Sequence, residues 1–285
     1  MPKPPRKLHC YYNWLSREGL TCPSEGWLPA IQRAGYDGIQ LVEPLEIDLV
    51  SACRDLGLGV CGCGRVNTPD DAMRLAEQGS RFGLECVTLH VGWGMEDDEY
   101  AGKLIEAVLA ASEQSSLQLY IETHRATVFQ DMWRTVQFIR RYPEVRLNGD
   151  FSHWYTGLEM VYGGFEKKLE FIQPVIERVR FLHGRIGNPG CMQVDIGDVE
   201  NACALPYVLH FTQIWTAVFA AWMKQEHNSP VFCFTTELLA PDIYYARLFR
   251  GHEESDRWQQ SLVLAELARR CFANAQKQGS GIGLI

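Results

Sequence analysis

Short apolar runs alternate with amphipathic stretches along most of this chain. The runs are brief, rich in β-branched or aromatic residues, and bounded by turn or helix signals, which is the pattern of buried strands. Strands are expected at 7–12 (KLHCYY), 38–43 (GIQLVE), 58–63 (LGVCGC), 86–91 (CVTLHV), 117–122 (LQLYIE), 145–150 (VRLNGD), 179–183 (VRFLH) and 231–237 (VFCFTTE). Helices are expected between them, at 25–34, 46–56, from Thr68-Pro69 onward, and at 97–114, 128–141, 165–178, 205–226 and 253–275. Ser24 is a candidate N-cap and Gly35 follows the same helix. Thr68-Pro69 pairs a cap with proline at the first helical position. The acidic opening Glu96, Asp97, Asp98, Glu99 suits the positive end of a helix dipole. Pro174 predicts a kink. Tyr207, Phe211, Ile214, Trp215, Val218, Phe219 and Trp222 give the helix over 205–226 a wide apolar stripe. A loop with Gly187, Pro189, Gly190 and Gly197 is expected from 184 to about 203.

Eight strand–helix units in sequence predict a single (β/α)8 TIM barrel over 1–285, with flexible ends at 1–6 and 278–285. The alternative is a doubly wound sheet. It is weakened because no strand is followed by a GxGxxG or GxxxxGK[ST] fingerprint; the glycine-dense CGCG at 61–64 has neither spacing.

Four of the apolar runs close on ionisable residues: Glu122, Asp150, His183 and Glu237. One carboxylate at a strand end is usually a cap or a surface ion pair. Four such residues on consecutive strands of a barrel converge on one mouth. Three carboxylates and one imidazole in a small volume repel unless a cation sits among them, so the pattern points to a bound divalent metal. An oxygen-rich set with one imidazole suits Mn2+ first, with Mg2+, Co2+, Zn2+ or Fe2+ as alternatives.

Composition narrows the classes. The 285 residues are 46% hydrophobic with a formal net charge of −8, which lacks the cationic footprint of a nucleic-acid binder. No run is long and apolar enough to span a bilayer, and the basic N-terminus has no apolar h-region. The ten Cys have irregular spacing and sit mostly in apolar runs, which reads as free thiols in a reducing, cytoplasmic compartment. A small-molecule substrate is the expected partner, with no nucleic acid and no membrane; a homo-oligomer is left open.

The order Glu, Asp-x-x-His, His, Glu at the ends of strands 5 to 8 resembles the xylose-isomerase-like barrels. IETHR (121–125), GDFSHW (149–154) and LHGRIG (182–187) are most similar to the branch called sugar phosphate isomerase/epimerase. The resemblance covers nearly the whole barrel. It implies that Glu122, Asp150, His183 and Glu237 are the metal ligands and that Glu122 and Glu237 are the catalytic acid/base pair. It also implies that His153 touches a substrate oxygen or a second metal, and that Arg185 faces the substrate. The DNA-cutting members carry further His ligands near strand 3 and in an Asp-x-His after strand 7. Here strand 3 is expected to end in Cys63-Gly64, and Asp195 is followed by Ile196-Gly197, which argues against an endonuclease. Val128 stands where the epimerases place a second Glu, which weakens the ketohexose-epimerase substrate mode.

Further pocket candidates follow from position alone. His124 lies just past Glu122, His90 ends strand 4 and Glu43 ends strand 2. Trp14, Trp93 and Trp154, with Tyr155, follow strands 1, 4 and 6 and would shape a pocket for a sugar face. His9, His210, His227 and His252 read as structural or solvent-exposed. The chemistry expected is proton abstraction beside a carbonyl through a metal-stabilised enediolate, giving an isomerase or epimerase of a small polyhydroxylated carbonyl compound. The alternative is a lyase or dehydratase on a keto-sugar or keto-cyclitol. A non-enzymatic binding module is disfavoured by the intact quartet.

Overall fold

A computed structural model describes residues 5–225 and 229–279. His227 and the tail at 280–285 lie outside the described residues. Among those described, eight parallel strands close a barrel in chain order. They are β1 (Lys7–Asn13), β2 (Gly38–Val42), β3 (Gly59–Val66), β4 (Cys86–Val91), β5 (Gln118–Glu122), β6 (Leu147–Gly149), β7 (Val179–Gly184) and β8 (Val231–Thr236), with β1 pairing to both β2 and β8. The helices are α1 (Trp27–Arg33), α2 (Ile47–Asp55), α3 (Pro69–Phe82), α4 (Asp98–Ser115), α5 (Met132–Arg141), α6 (Phe151–Gly157), α7 (Phe165–Phe171), α8 (Gln173–Ile176), α9 (Val199–Ala202), α10 (Pro206–Lys224) and α11 (Arg257–Gly279). A small hairpin, β9 (Leu248–Phe249) with β10 (His252–Glu253), precedes α11. No described helix is long and apolar enough to cross a membrane.

The caps explain most boundaries. Thr68 and Asp71 form a capping box with Pro69 at the first helical position of α3. Asp97 caps α4 by accepting from the Tyr100 N–H at 2.8 Å. Ser24 does not cap α1. The 23–26 segment closes its own turn, Gly26 N–H to Pro23 O at 2.9 Å, so the helix starts only after Gly26. Pro174 breaks the expected helix over 165–178 into α7 and α8. Strand β3 continues past Gly64 to Val66, and His252 lies on β10 rather than on a helix. Gly279, taken as part of a flexible end, closes α11.

Two regions depart more from expectation. β6 pairs over three residues only, with a register shift between Leu147 and Asn148. The chain then turns at Asp150 straight into α6, a helix that the apolar pattern does not reveal.

Alternation along the strands splits the barrel interior into layers. Tyr11, Cys61, Cys86, Phe181 and Cys233 form a buried cluster separate from the main core, and this is the barrel floor. Above it lies a polar layer of Asn13, Gln40, Thr88, Asn148 and Thr235, all fully buried. The main core lies between strands and helices. There Trp215 meets Phe234 at 5.1 Å, and Phe219 meets Phe232 at 5.1 Å and Phe272 at 5.3 Å, all edge-on.

Phe234 presses directly on β7. A Cβ on Gly184 would lie 2.1 Å from its ring, whereas Gly157 has nothing within 4 Å. Gly184→Ala should therefore lower stability by about 1–3 kcal/mol in denaturant titration, while Gly157→Ala is neutral. Equal stability of the two variants would remove the close approach as a constraint on β7. His210 supplies a pH prediction. It stacks on Phe165 at 3.9 Å, its Nδ1 pairs with the Tyr155 hydroxyl at 2.8 Å, and burial lowers its pKa from 6.5. A depressed histidine contributes stability above the unfolded pKa that is lost as pH falls through about 6.5 toward the folded value. The wild-type stability should fall over that window, and His210→Gln should flatten part of the slope; an unchanged slope would show the pair to be inert.

Candidate active site

The strand ends of β5, β7 and β8, with the turn after β6, place Glu122, His183, Glu237 and Asp150 around one point. Their exposures are 1%, 1%, 9% and 0%. His183 Nδ1 lies 3.4 Å from Glu122 Oε2, 3.4 Å from Glu237 Oε2 and 3.9 Å from Asp150 Oδ2. The quartet drawn from separate strand ends thus shares one centre.

The polar layer orients it. Asn13 Nδ2 donates to Gln40 Oε1 at 3.2 Å, and Gln40 Nε2 donates to Thr88 Oγ1 at 3.0 Å. The Gln40 amide therefore presents its oxygen to His183 Nε2 at 2.9 Å, so Nε2–H is the donor and Nδ1 faces the carboxylates. Asn148 Nδ2 donates to Glu122 Oε2 at 2.9 Å, and Asn13 Nδ2 to Glu237 Oε1 at 3.1 Å. These amides occupy inward positions of otherwise apolar strands. Reading each strand for period-two polar positions would have found them; looking only at strand ends missed them.

Arg185 is the cationic partner of the mouth. It is 1% exposed, and its Nη2 contacts Asp150 and lies 3.0 Å from Glu237 Oε2. Its Nε donates to Ser152 Oγ at 3.0 Å. Asp150 also caps α6, accepting from the Ser152 N–H at 3.0 Å. Burial works against the Arg185 charge, but Asp150 and Glu237 outweigh it and raise its pKa. For His183, burial is likewise outweighed by Glu237 and Glu122, and its pKa rises to about 9. For Glu122, burial opposes ionisation, but His90 and His183 hold the carboxyl well below its usual range.

Three further imidazoles line one wall. His90 Nε2 lies 3.2 Å from Glu122 Oε1. The His90 and His124 rings are 4.4 Å apart, and His124 and His153 are 3.8 Å apart. Burial, then His153, pushes His124 down to about 2, and burial with Arg185 pushes His153 well below 6.5. Both rings are neutral hydrogen-bonding groups at pH 7. Tyr245, from the segment after β8, closes the wall. Arg185 sits 4.7 Å from its ring centre, and its hydroxyl lies 3.4 Å from His124 Nε2. Nothing in the sequence singled out Tyr245, which follows the last strand end by several residues.

Three candidates, Glu43, Trp154 and Tyr155, fall outside the mouth. Glu43 points to the outer face of the barrel, where it pairs with Arg74 of α3 at 2.6 Å. The inward position of Gln40 already sets residue 43 on the opposite side. Trp154 is fully buried behind the site, its indole N–H donating to Phe129 O at 3.0 Å. Neighbouring helix residues do not share a face, so the same turn of α6 that turns His153 inward sends Trp154 away. Tyr155, also fully buried, pairs with His210 and does not shape the mouth. Trp93 stands at the rim, half exposed under Arg65 at 3.7 Å. Trp14 packs under Arg17 at 4.3 Å in the turn after β1.

The donor set fits a divalent ion. Glu122, Asp150 and His183 can each direct one ligand atom such that all lie within 4.8 Å of one another. The carboxylate Oε2 of Glu237 faces the same Nδ1. With His183 neutral, three carboxylates, one guanidinium and one dication sum to zero formal charge. The Gln40 bond to Nε2 is the outer-shell contact that fixes a ligating imidazole.

No protein-family model matches the sequence, and no curated protein does. Solved structures do match. A xylose isomerase-like TIM barrel protein from Mycobacterium smegmatis, in complex with magnesium, aligns with TM-score 0.59 at 13% identity, covering 95% of this chain and 97% of that one. The probable 3-DHS dehydratase AsbF of Bacillus anthracis, involved in petrobactin synthesis, aligns with TM-score 0.56 at 13% identity, covering 92% and 97%. A xylose isomerase domain protein from Planctomyces limnophilus gives 0.55 at 12% identity, covering 96% and 99%. The likeness establishes the fold: that of the xylose isomerase-like TIM barrels.

Proposed function

We propose that this chain is a divalent-metal-dependent isomerase or epimerase of a small polyhydroxylated carbonyl compound. The observation that supports it most is His183, whose Nδ1 faces three carboxylates while its Nε2 is tied to Gln40. Glu122, Asp150, His183 and Glu237 would hold the ion. Bound there, a divalent ion would polarise a substrate carbonyl and stabilise the negative charge that develops when a neighbouring C–H is broken. The magnesium-bound structural neighbour supports an ion of this hard class.

The two glutamates would move the proton. They come from the ends of β5 and β8, and both carboxylates face the centre where a substrate would sit. Glu237 is the more exposed, at 9% against 1% for Glu122, and it suits proton exchange with the mouth. Buried donors favour a hydroxyl-rich substrate. His153 Nδ1 and Arg185 Nη1 have no hydrogen-bond partner among the described residues. Substrate oxygens would satisfy both, and an analogue lacking them would leave them unpaired at a cost of about 1–3 kcal/mol each. Departure of a β-hydroxyl after the same proton abstraction gives the second reading, a dehydratase, which the structural likeness to a probable dehydratase favours.

Metal content tests the centre. Purified wild type should carry one more tightly held divalent ion per chain than Asp150→Ala. Gln40→Met should weaken affinity by about 10–100-fold, because the imidazole is no longer oriented. Equal metal content in wild type and Asp150→Ala would remove the quartet as a metal site. Proton transfer has its own test. Glu237→Gln keeps shape but cannot accept a proton, and turnover should fall by about 10²–10⁴-fold. Product formed in D2O should carry deuterium at the attacked carbon in the isomerase case, and should have lost water in the dehydratase case. A product with neither change, or full activity of Glu237→Gln, would overturn proton abstraction by this pair.

A further inference from the structure

Three thiols meet on the barrel axis beneath the amide layer, and the proposed chemistry uses none of them. Cys61 on β3 and Cys86 on β4 stand one residue before the register pair Gly62 and Val87, and their sulfurs are 3.5 Å apart. Cys233 reaches the same point from β8, so that all three sulfurs lie within 4.8 Å of one another. Their exposures are 0%, 2% and 9%. A buried free cysteine is ordinarily a small hydrophobe. Packing alone, however, does not call for thiols from three separate strands to converge on one point.

The spacing matches thiolate coordination. A metal–sulfur bond of about 2.3 Å places the sulfurs of a tetrahedral or trigonal site roughly 3.8–4.0 Å apart. The Cys61–Cys86 sulfurs, at 3.5 Å, fall just below that value, and all three sulfurs lie within 4.8 Å of one another. An imidazole is close by: His9 is in parallel register with Cys233 on the adjoining strand β1. Access is from below. A cavity of about 890 Å³ at the N-terminal end of the barrel is lined in part by Tyr120 and Val231, the two half-buried side chains that pack on the thiol cluster.

We propose that Cys61, Cys86 and Cys233 form a thiolate site for a soft d10 metal ion, Zn2+ or Cu+, at the floor of the barrel. Each metal–sulfur bond replaces an S–H bond, the proton leaves to solvent, and no oxidation state changes. Cu+ accepts three thiolates alone; Zn2+ favours four donors, and His9, beside Cys233 in register but outside the three-sulfur group, would have to swing in to supply the fourth. The site is separate from the carboxylate mouth in position and in ligand softness.

The test uses the full-length reduced chain, stripped of metal and handled without oxygen. It is titrated in one arm with Co2+ as a spectroscopic stand-in for Zn2+, and in the other with Cu+ against a chromophoric chelator. Sulfur-to-metal charge-transfer absorption reports thiolate binding and is silent for the carboxylate mouth. One arm should saturate at one equivalent per chain. Cys61→Ser, Cys86→Ser and Cys233→Ser should each weaken binding by about 10²-fold or more, while serine at the exposed Cys22 and Cys203 changes nothing. His9→Gln should weaken the Co2+ arm and spare the Cu+ arm. Should a serine variant fail to fold, Cys233→Ala replaces it, and Cu+, which the oxygen-rich mouth does not favour, should raise the Tm of wild type but not of that variant. Absence of charge transfer in both arms, or a band that persists in the serine variants of the cluster, overturns the site. A Cys61–Cys86 disulfide whose reduction restores no metal uptake overturns it as well.

Discussion

The mouth of this barrel depends on keeping carboxylates together in a place that water barely reaches. Two unit charges 4 Å apart repel by about 4 kcal/mol at an effective dielectric near 20. Glu122, Asp150 and Glu237 all surround one imidazole nitrogen, so the repulsion is shared among three groups. Arg185 and His183 oppose it. The guanidinium touches Asp150 and Glu237 through the same nitrogen, and His183 answers with a pKa raised to about 9. A dication would relieve the imidazole of that task and return it to the neutral, ligating form. A proton on His183 and such a dication would therefore compete for one position.

That arrangement needs a rigid support, and the amide layer provides it. Gln40 takes a donor from Asn13, gives one to Thr88, and accepts from His183, so none of these groups can rotate without breaking a buried bond. Asn148 does the same for Glu122 from the short strand β6. Gly184, immediately after His183, lets Phe234 press against β7, which couples the position of the imidazole to the aromatic packing under α10. Helical packing thus reaches the geometry of the mouth through one residue without a side chain.

Much of this was legible because strands of a parallel barrel are buried on both faces and read as unbroken apolar runs. A charge at the end of such a run stands out, and Glu122, His183 and Glu237 stood out for that reason. Asp150 was legible as a residue but not in its setting. It is the N-cap of α6 as well as a member of the mouth, so the ordinary reading of such a carboxylate and the site reading are both true of it. Glu43 and Trp154 were misplaced because proximity to a strand end says nothing of direction; alternation on β2 and the helical turn of α6 set the direction in each case. Tyr245 could not be found at all, since its position depends on how a loop folds back over Arg185. Tertiary contacts of that kind leave no periodic trace.

The layers of the interior also separate two chemistries by polarity. Oxygen donors gather at the top, where solvent and substrate arrive, and hard cations suit them. Sulfur gathers at the floor among Tyr11, Tyr120 and Phe181, where soft ions are the better match. Between them the amide layer carries no net charge and holds the mouth above it through hydrogen bonds. A barrel core of purely apolar side chains would pack as densely, but it would leave His183 Nε2 without an acceptor and the imidazole free to turn. The buried polarity of Asn13, Gln40, Thr88 and Asn148 is best understood as the cost of orientation at the mouth, offset in part because the amide N–H groups of Asn13, Gln40 and Asn148 donate within the layer or directly above it, while Asn148 Oδ1 is left without a partner.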